Sequence, residues 1–188
     1  MSHEQRILKL IASDELRMRA LRAAKSLDLP DWLIAAGFVR NLVWSNVFGK
    51  DAPLNDIDII YHCISDTSEE RDSLLERQLY AIEPELPWSV KNQARMHLKN
   101  GDAPYANTLE AMAYWPEKQT AIGVMLDSNE DLVLRHSFDL DLQFNGRIDH
   151  NPARSVDVFK ARVASKGWLQ SWPALQVKTH SSASNRPR

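Results

Sequence analysis

An α/β (α+β) fold, a mixed sheet with flanking helices and an added hairpin, is predicted by three features of the chain. WLIAA at 32–36 is a short unbroken apolar run that stops at Gly37, the pattern of a buried strand entering a tight turn. FVRNLVWSNVF at 38–48 changes to helical spacing, and DIDIIYH at 56–62 changes again to alternation. Strand, helix and strand in this succession require a sheet covered by helices.

Ile7, Leu8, Leu10, Ile11, Leu16, Met18, Leu21 and Ala24 recur at helical spacing, so residues 4–26 form one or two amphipathic helices, ended by Pro30. Gly49 caps the helix over 38–48. A polar loop, KDAPLN, leads into 56–62, where Asp56, Asp58 and Ile60 share one strand face and Ile57, Ile59 and Tyr61 the other. Thr67 with Glu70 is a capping box that opens a helix in TSEERDSLLERQLYAI. PWSVKNQ at 87–93 reads as a further strand, followed by a helix to about Leu98, and Asn107 with Glu110 caps another that ends before Pro116. TAIGVML and DLVLRHSF, joined by DSNE, make a hairpin, and residues 153–166 are helical. The expected organisation is an N-terminal helical segment (1–30) packed on a core domain (31–170), with a polar, disordered tail (171–188).

Composition narrows the function. A chain of 188 residues fits one domain, and 44% hydrophobic with 26% charged residues is ordinary for a globular protein. A net charge of -2 and a pI near 6.3 give no bulk attraction to nucleic acid, so any polyanion needs a local patch. The single cysteine, Cys63, excludes an internal disulfide and reads as a small packed residue; no histidine pair stands at zinc-ligand spacing with it. No apolar run approaches the roughly 20 residues that span a bilayer, and the N-terminus lacks a signal-peptide pattern. A cytoplasmic protein without membrane partners is expected.

The chemistry lies in GFVRNLVWSNVFGKDAPLNDIDII, residues 37–60. Two residues apart on a strand, Asp56 and Asp58 point to one side with Cα atoms roughly 6.5–7 Å apart. Carboxylates so placed jointly hold divalent cations, and two ions about 3.5–4 Å apart suit in-line nucleotidyl transfer. Magnesium fits because it takes carboxylate oxygens and completes its shell with water and phosphates. Backbone N–H groups after Gly37, at a helix start, form an anion site that glycine lets a phosphate approach closely.

This stretch resembles the first motif of the tRNA CCA-adding and poly(A) polymerase branch of the polymerase-beta-like nucleotidyltransferases, which reads Gly-Gly-x-Val-Arg-Asp, a leucine-rich stretch, Gly, a loop and Asp-x-Asp. Gly37, Val39, Arg40, Gly49, Asp56 and Asp58 match, whereas Phe38 and Asn41 stand where glycine and aspartate are expected. PWSVKNQARMHLKNGDAPY, WPEKQTAIGVML and RIDHNP resemble a family of small bacterial nucleotidyltransferase-like proteins, over roughly residues 10–160.

The resemblance implies transfer of a nucleoside monophosphate from an NTP to a hydroxyl of a small molecule, a protein or an RNA end, with release of pyrophosphate. It gives Asp56 and Asp58 the role of ligands to two magnesium ions. Gly37 and the N–H groups after it, Phe38 included, would cradle phosphate. Arg40 would contact phosphate or pair with a carboxylate. Lys91, Asn92 and Arg95 would serve triphosphate or acceptor, and His97 would be an acceptor-side base. Where many members of the superfamily carry a third carboxylate, the strand WSVK offers Ser89; Glu83, Glu85, Asp139 and Asp141 are the other acidic candidates. Trp88 or Trp115 would stack a base. The alternative reading is a catalytically inactive nucleotide-binding or protein-interaction module on the same fold.

Overall fold

The computed structural model describes residues 1–51 and 54–180. Helices α1 (His3–Ala12) and α2 (Glu15–Lys25) are opened by Ser2 and Asp14, whose side chains accept from the N–H groups of Gln5 and Arg17. Strand β1 (Leu33–Ala35), α3 (Gly37–Phe48), β2 (Ile57–Tyr61), α4 (Glu69–Ile82) and β3 (Trp88–Asn92) follow, then α5 (Gln93–Asn100) and α6 (Thr108–Ala113). A 3₁₀ turn at Lys118–Thr120 leads into the hairpin of β4 (Ile122–Leu126) and β5 (Leu132–His136). Helix α7 (Asp141–Phe144), β6 (Arg147–Asp149), α8 (Val156–Lys166), α9 (Trp168–Ser171) and β7 (Gln176–Lys178) complete the order.

Five strands form one sheet in the order β3-β2-β1-β4-β5. Only β2 and β3 run parallel, joined through α4; the β1–β2, β1–β4 and β4–β5 pairs are antiparallel. The alternation of β2 decides what each face becomes. Ile57, Ile59 and Tyr61 enter the main core with Ile34, Val90 and Val124, where they meet α1 through α4. Ile60 points the other way, into a small cluster with Leu33, Ala35, Met112 and Ala121. Asp58 lies next along that second face, just beyond its apolar cover.

Gly49 caps α3 in the left-handed conformation, as its position predicts. The start of α4 lies one residue later than the capping-box reading. Ser68, not Thr67, accepts from the N–H of Arg71, while the Thr67 carbonyl is taken by Arg95. The expected tail from 171 is also corrected. Trp172 and Leu175 are buried with Trp44, Phe159 and Trp168, and β7 pairs in parallel with β6. A three-residue strand leaves no readable period. The remainder of that tail, 181–188, and positions 52 and 53 of the KDAPLN loop lie outside the described residues.

The turn between β1 and α3 carries the main backbone strain near the sheet. Ala36 holds φ 60°, ψ -125°, while its N–H donates to Ile122 and its carbonyl accepts from Val39 and Arg40. Counting back from Val39 and Arg40, the first glycine of the Gly-Gly-x-Val-Arg-Asp pattern falls on Ala36 and not on Phe38, which occupies the free position. The departure therefore sits where a side chain is sterically costly, on the order of 1–3 kcal/mol. Ala36→Gly is expected to leave the thermal midpoint unchanged or raised. The same change at buried Ala24, inside α2, is expected to lower stability by about 1 kcal/mol. Equal losses at the two positions, measured by thermal unfolding, would contradict strain at Ala36.

Candidate active site

The register of β1 on β2 sets Ala35 opposite Asp58, so the turn that starts α3 emerges beside that carboxylate. Among the described residues no side chain caps the first turn of α3, and no acidic residue lies in that turn. Its leading N–H groups therefore face the cavity side without a competing anion. A Cβ at Gly37 would lie 3.1 Å from Asn41 Nδ2 and 3.3 Å from Arg40 Nη2, so a side chain there would push those two groups aside by a few tenths of an ångström.

Two connected lobes open on this face, with Asp58 lining both. The smaller, about 160 Å³, is lined among others by Gly37, Arg40, Asn41, Asp56, Arg162 and Lys166. The larger, about 590 Å³, runs past Ser89 and Lys91 toward α5, where Gln93, Met96 and Lys99 face it, and is closed across by Tyr114, Trp115 and Arg154.

Arg40 is 5% exposed, yet it forms no ion pair among the described residues. Its Nη1 donates to Thr120 Oγ1 at 2.7 Å, and Nε and Nη2 donate to Asn41 Oδ1 at 3.1 and 3.0 Å. The guanidinium lies 5.0 Å from the Trp44 ring centroid and 4.6 Å from that of Trp168. Burial pulls its pKa down to about 10, so it remains charged near neutrality. Arg162 enters from α8 and is fixed by Glu117, which is fully buried. Burial, with the neighbouring Asp56 carboxylate, pushes the Asp58 carboxyl above the usual range. Like charges on one ledge beside free cations are the arrangement that a divalent cation and a polyphosphate together neutralise.

The donor set fits magnesium through Asp56 and Asp58 alone. Among the described residues no cluster of three or more histidine, cysteine, aspartate or glutamate side chains is poised for a metal. Ser89 pairs in register with Asp58, at the place where a third carboxylate is expected. Glu83 pairs instead with Arg19 and Asp141 with His3, and neither Glu85 nor Asp139 lines a lobe.

Of the residues singled out from sequence, Gly37, Arg40, Asp56 and Asp58 come together in the smaller lobe, and Lys91 lines the larger. Phe38 offers only its backbone: the ring is fully buried and its carbonyl accepts from Arg17 Nε at 2.8 Å. Asn92 is a correction. It is fully buried, caps α5 and bonds to the backbone of Cys63 and Asp66. Arg95 is another, turned to the far face of α5 to bind Asp72 and the Thr67 and Ser68 carbonyls. His97 lies against Tyr105 and lines neither lobe. Trp88 is buried and donates to the Glu83 carbonyl, which leaves half-buried Trp115 as the member of that pair that lines the larger lobe. Cys63 lines neither lobe; its thiol is held down to about 6 by the Ser65 hydroxyl and the Arg71 guanidinium. Arg162 and Lys166 carry no motif of their own. Their spacing of four on a helix places both on one face, the only sign of a shared role.

The five-stranded mixed sheet with its flanking helices is the polymerase-beta-like nucleotidyltransferase fold. A solved structure described as revealing a CCA-adding enzyme head domain matches with a TM-score of 0.83 at 30% identity, over 94% of this chain and 96% of that one. A structure of a tRNA-processing enzyme complex shares the fold with a TM-score of 0.52 at 16% identity; the match covers 84% of this chain and 42% of that one. Among curated proteins none matches. The model of a family described as nucleotidyltransferase matches residues 22–177, and the chain belongs to that family. No helix among the described residues is long and apolar enough to cross a membrane.

Because the Asp58 pKa is raised in the folded protein, its ionisation opposes folding. That penalty is absent below the ordinary carboxylate range and grows as pH rises through the raised value. A divalent cation between Asp56 and Asp58 would cancel it. Magnesium is therefore expected to raise the thermal midpoint more at neutral than at acidic pH, and Asp58→Asn to flatten that dependence. An equal magnesium effect at both pH values would remove Asp58 from the metal site.

Proposed function

We propose that the protein is a magnesium-dependent nucleotidyltransferase that moves a nucleoside monophosphate from an NTP to an acceptor hydroxyl and releases pyrophosphate. The observation that carries this reading is the smaller lobe. There the uncapped start of α3 and the buried, carboxylate-free Arg40 stand across from Asp56 and Asp58.

In this reading Gly37 and Phe38 donate backbone N–H groups to the triphosphate. Arg40 supplies the charge that no paired carboxylate matches, and Lys166 adds its own from α8 beside Arg162, whose charge Glu117 already meets. Charge growing on the departing pyrophosphate meets fixed cations in a site that water does not need to reorganise. The acceptor oxygen bonds to the α-phosphorus as its bond to the oxygen bridging the α- and β-phosphates breaks, that oxygen leaving with pyrophosphate, and the hydroxyl proton passes to solvent. Asp56 and Asp58 would hold magnesium, which when bound would supply Lewis-acid activation of the acceptor and bracing of the phosphates. Trp44 and Trp168 keep Arg40 extended toward this lobe.

One observation favours a second reading. Ser89 in register with Asp58 leaves a two-carboxylate site, compatible with a nucleotide-binding module that does no chemistry. Localisation in the cytoplasm belongs to either reading.

Transfer of label from an α-phosphate-labelled NTP, measured with magnesium in cell extract, separates the two. Label in an acceptor, lost in Asp56→Asn and Asp58→Asn, is expected of the enzyme; NTP binding without transfer is expected of the module. Arg40→Met is expected to change stability by no more than about 1 kcal/mol, because removing a buried unpaired charge offsets the lost hydrogen bonds. The same variant is expected to weaken magnesium–NTP binding about tenfold or more. Unchanged NTP affinity in Arg40→Met would contradict the assignment of Arg40 to phosphate.

A further inference from the structure

The larger lobe holds more positive charge than a nucleoside needs. Beyond Asp58 its lining includes Lys91 on β3 and Lys99 on α5, both exposed and in no ion pair among the described residues. Arg40 and the α3 N–H groups in the smaller lobe, with Lys166 lining both lobes, already serve a triphosphate, and the Arg162 charge between the lobes is matched by Glu117. A base and ribose are neutral, and Tyr114 and Trp115 supply the flat apolar surface that a base takes. The two remaining lysines answer to a second anion.

Arg154 strengthens this view of the lobe. It binds Asp102 and reaches the Tyr105 hydroxyl at 3.3 Å, and that hydroxyl also accepts from Asn100 Nδ2 at 3.2 Å. Arg154 and Asn100 both line the lobe, so this network ties the end of α5 to the segment before α8 along the cavity wall. The Arg154 charge is matched by Asp102 and serves the wall, while Lys91 and Lys99 are left for a ligand.

We propose that the larger lobe is the acceptor subsite and that the acceptor is a small molecule bearing a phosphate group, held by Lys91 and Lys99 with its hydroxyl turned toward Asp58. The assignment rests on the nucleotidyltransferase reading. Cationic acceptors are disfavoured by the same lysines. A long RNA acceptor needs a row of cations continuing outside the cavity, and a chain of net charge -2 offers no general excess.

The test is calorimetric titration of inorganic phosphate into the protein saturated with magnesium and a non-hydrolysable NTP analogue, for wild type and a Lys91→Ala, Lys99→Ala variant. Both positions are exposed, so the variant keeps the fold. Phosphate is expected to bind the wild-type complex and to bind the variant about tenfold more weakly or not at all. Analogue affinity is expected to stay within about twofold, and Lys91→Arg with Lys99→Arg to restore phosphate binding. Equal phosphate binding in wild type and variant, or none in wild type, overturns the acceptor subsite. Loss of analogue binding in the variant also overturns it, because the lysines would then serve the triphosphate. An unphosphorylated-end oligoribonucleotide that binds the saturated complex far more tightly than phosphate overturns the small-molecule assignment in favour of an RNA end. A wild-type protein that binds no analogue at all contradicts the nucleotidyltransferase reading itself, and phosphate titrated into the unliganded pair of proteins still decides whether Lys91 and Lys99 form an anion site.

Discussion

The antiparallel pairing of β1 with β2, with Ala35 opposite Asp58, is the constraint on which the rest of the site depends. Strand pairing fixes register because a slip of one residue would send Asp58 into the main core and Ile59 to the cavity. Ile57, Ile59 and Tyr61 are therefore the positioning force for the carboxylates: their burial under α1 through α4 holds Asp56 and Asp58 on the other face. The turn at Ala36 and Gly37 starts one residue after the pairing ends, so the start of α3 has little freedom to move relative to Asp58. Backbone strain at Ala36 persists because hydrogen bonds to Ile122, Val39 and Arg40 hold it on all sides.

The second feature is a charge deliberately left unmatched. A buried guanidinium without a paired carboxylate costs stability; Arg40 donates to Thr120 and Asn41 and lies over Trp44 and Trp168, while the Glu117 and Asp58 carboxylates farther off offset part of the desolvation that lowers its pKa. Asparagine at position 41, where the family pattern has aspartate, is what keeps the charge uncompensated. Nearby Arg162 shows the contrast, since Glu117 neutralises it and gives it a fixed orientation. One lobe thus combines a cation waiting for a partner with a carboxylate whose pKa is raised. On the proposed reading, a bound polyphosphate and divalent ion would relieve both at once, which would link the two affinities.

Much of this was legible in the sequence because each central element carries a strong local signal. The period changes at Gly37 and Asp56 located β1, α3 and β2, and the capping residues Asn107 and Gly49 behave as their types predict. Of the block around Lys91, the structure brings Lys91 to the cavity but neither Asn92 nor Arg95. Asn92 and Arg95 are polar and lie within four positions of Lys91, but on α5 the face of Gln93, Met96 and Lys99 turns to the cavity while Arg95 turns to Asp72. Helical phase alone could not choose between these faces, since both are polar. Arg162, Lys166 and Arg154 reach the site only because the tryptophan cluster of Trp44, Trp168 and Trp172 folds the C-terminal segment back over α3, a long-range contact without a local pattern. The strand β7 was missed for the same reason.

The central claim, that Asp56, Asp58 and the start of α3 form one metal–polyphosphate site, is tested most directly by paramagnetic broadening of amide signals in a ¹⁵N-labelled sample titrated with substoichiometric manganese. Selective loss of the signals of Asp56, Asp58, Ala36 and Gly37, absent in Asp58→Asn, is the predicted result. Broadening centred instead on another acidic stretch, such as the Asp127–Asp131 turn, or spread evenly over the surface, would contradict it.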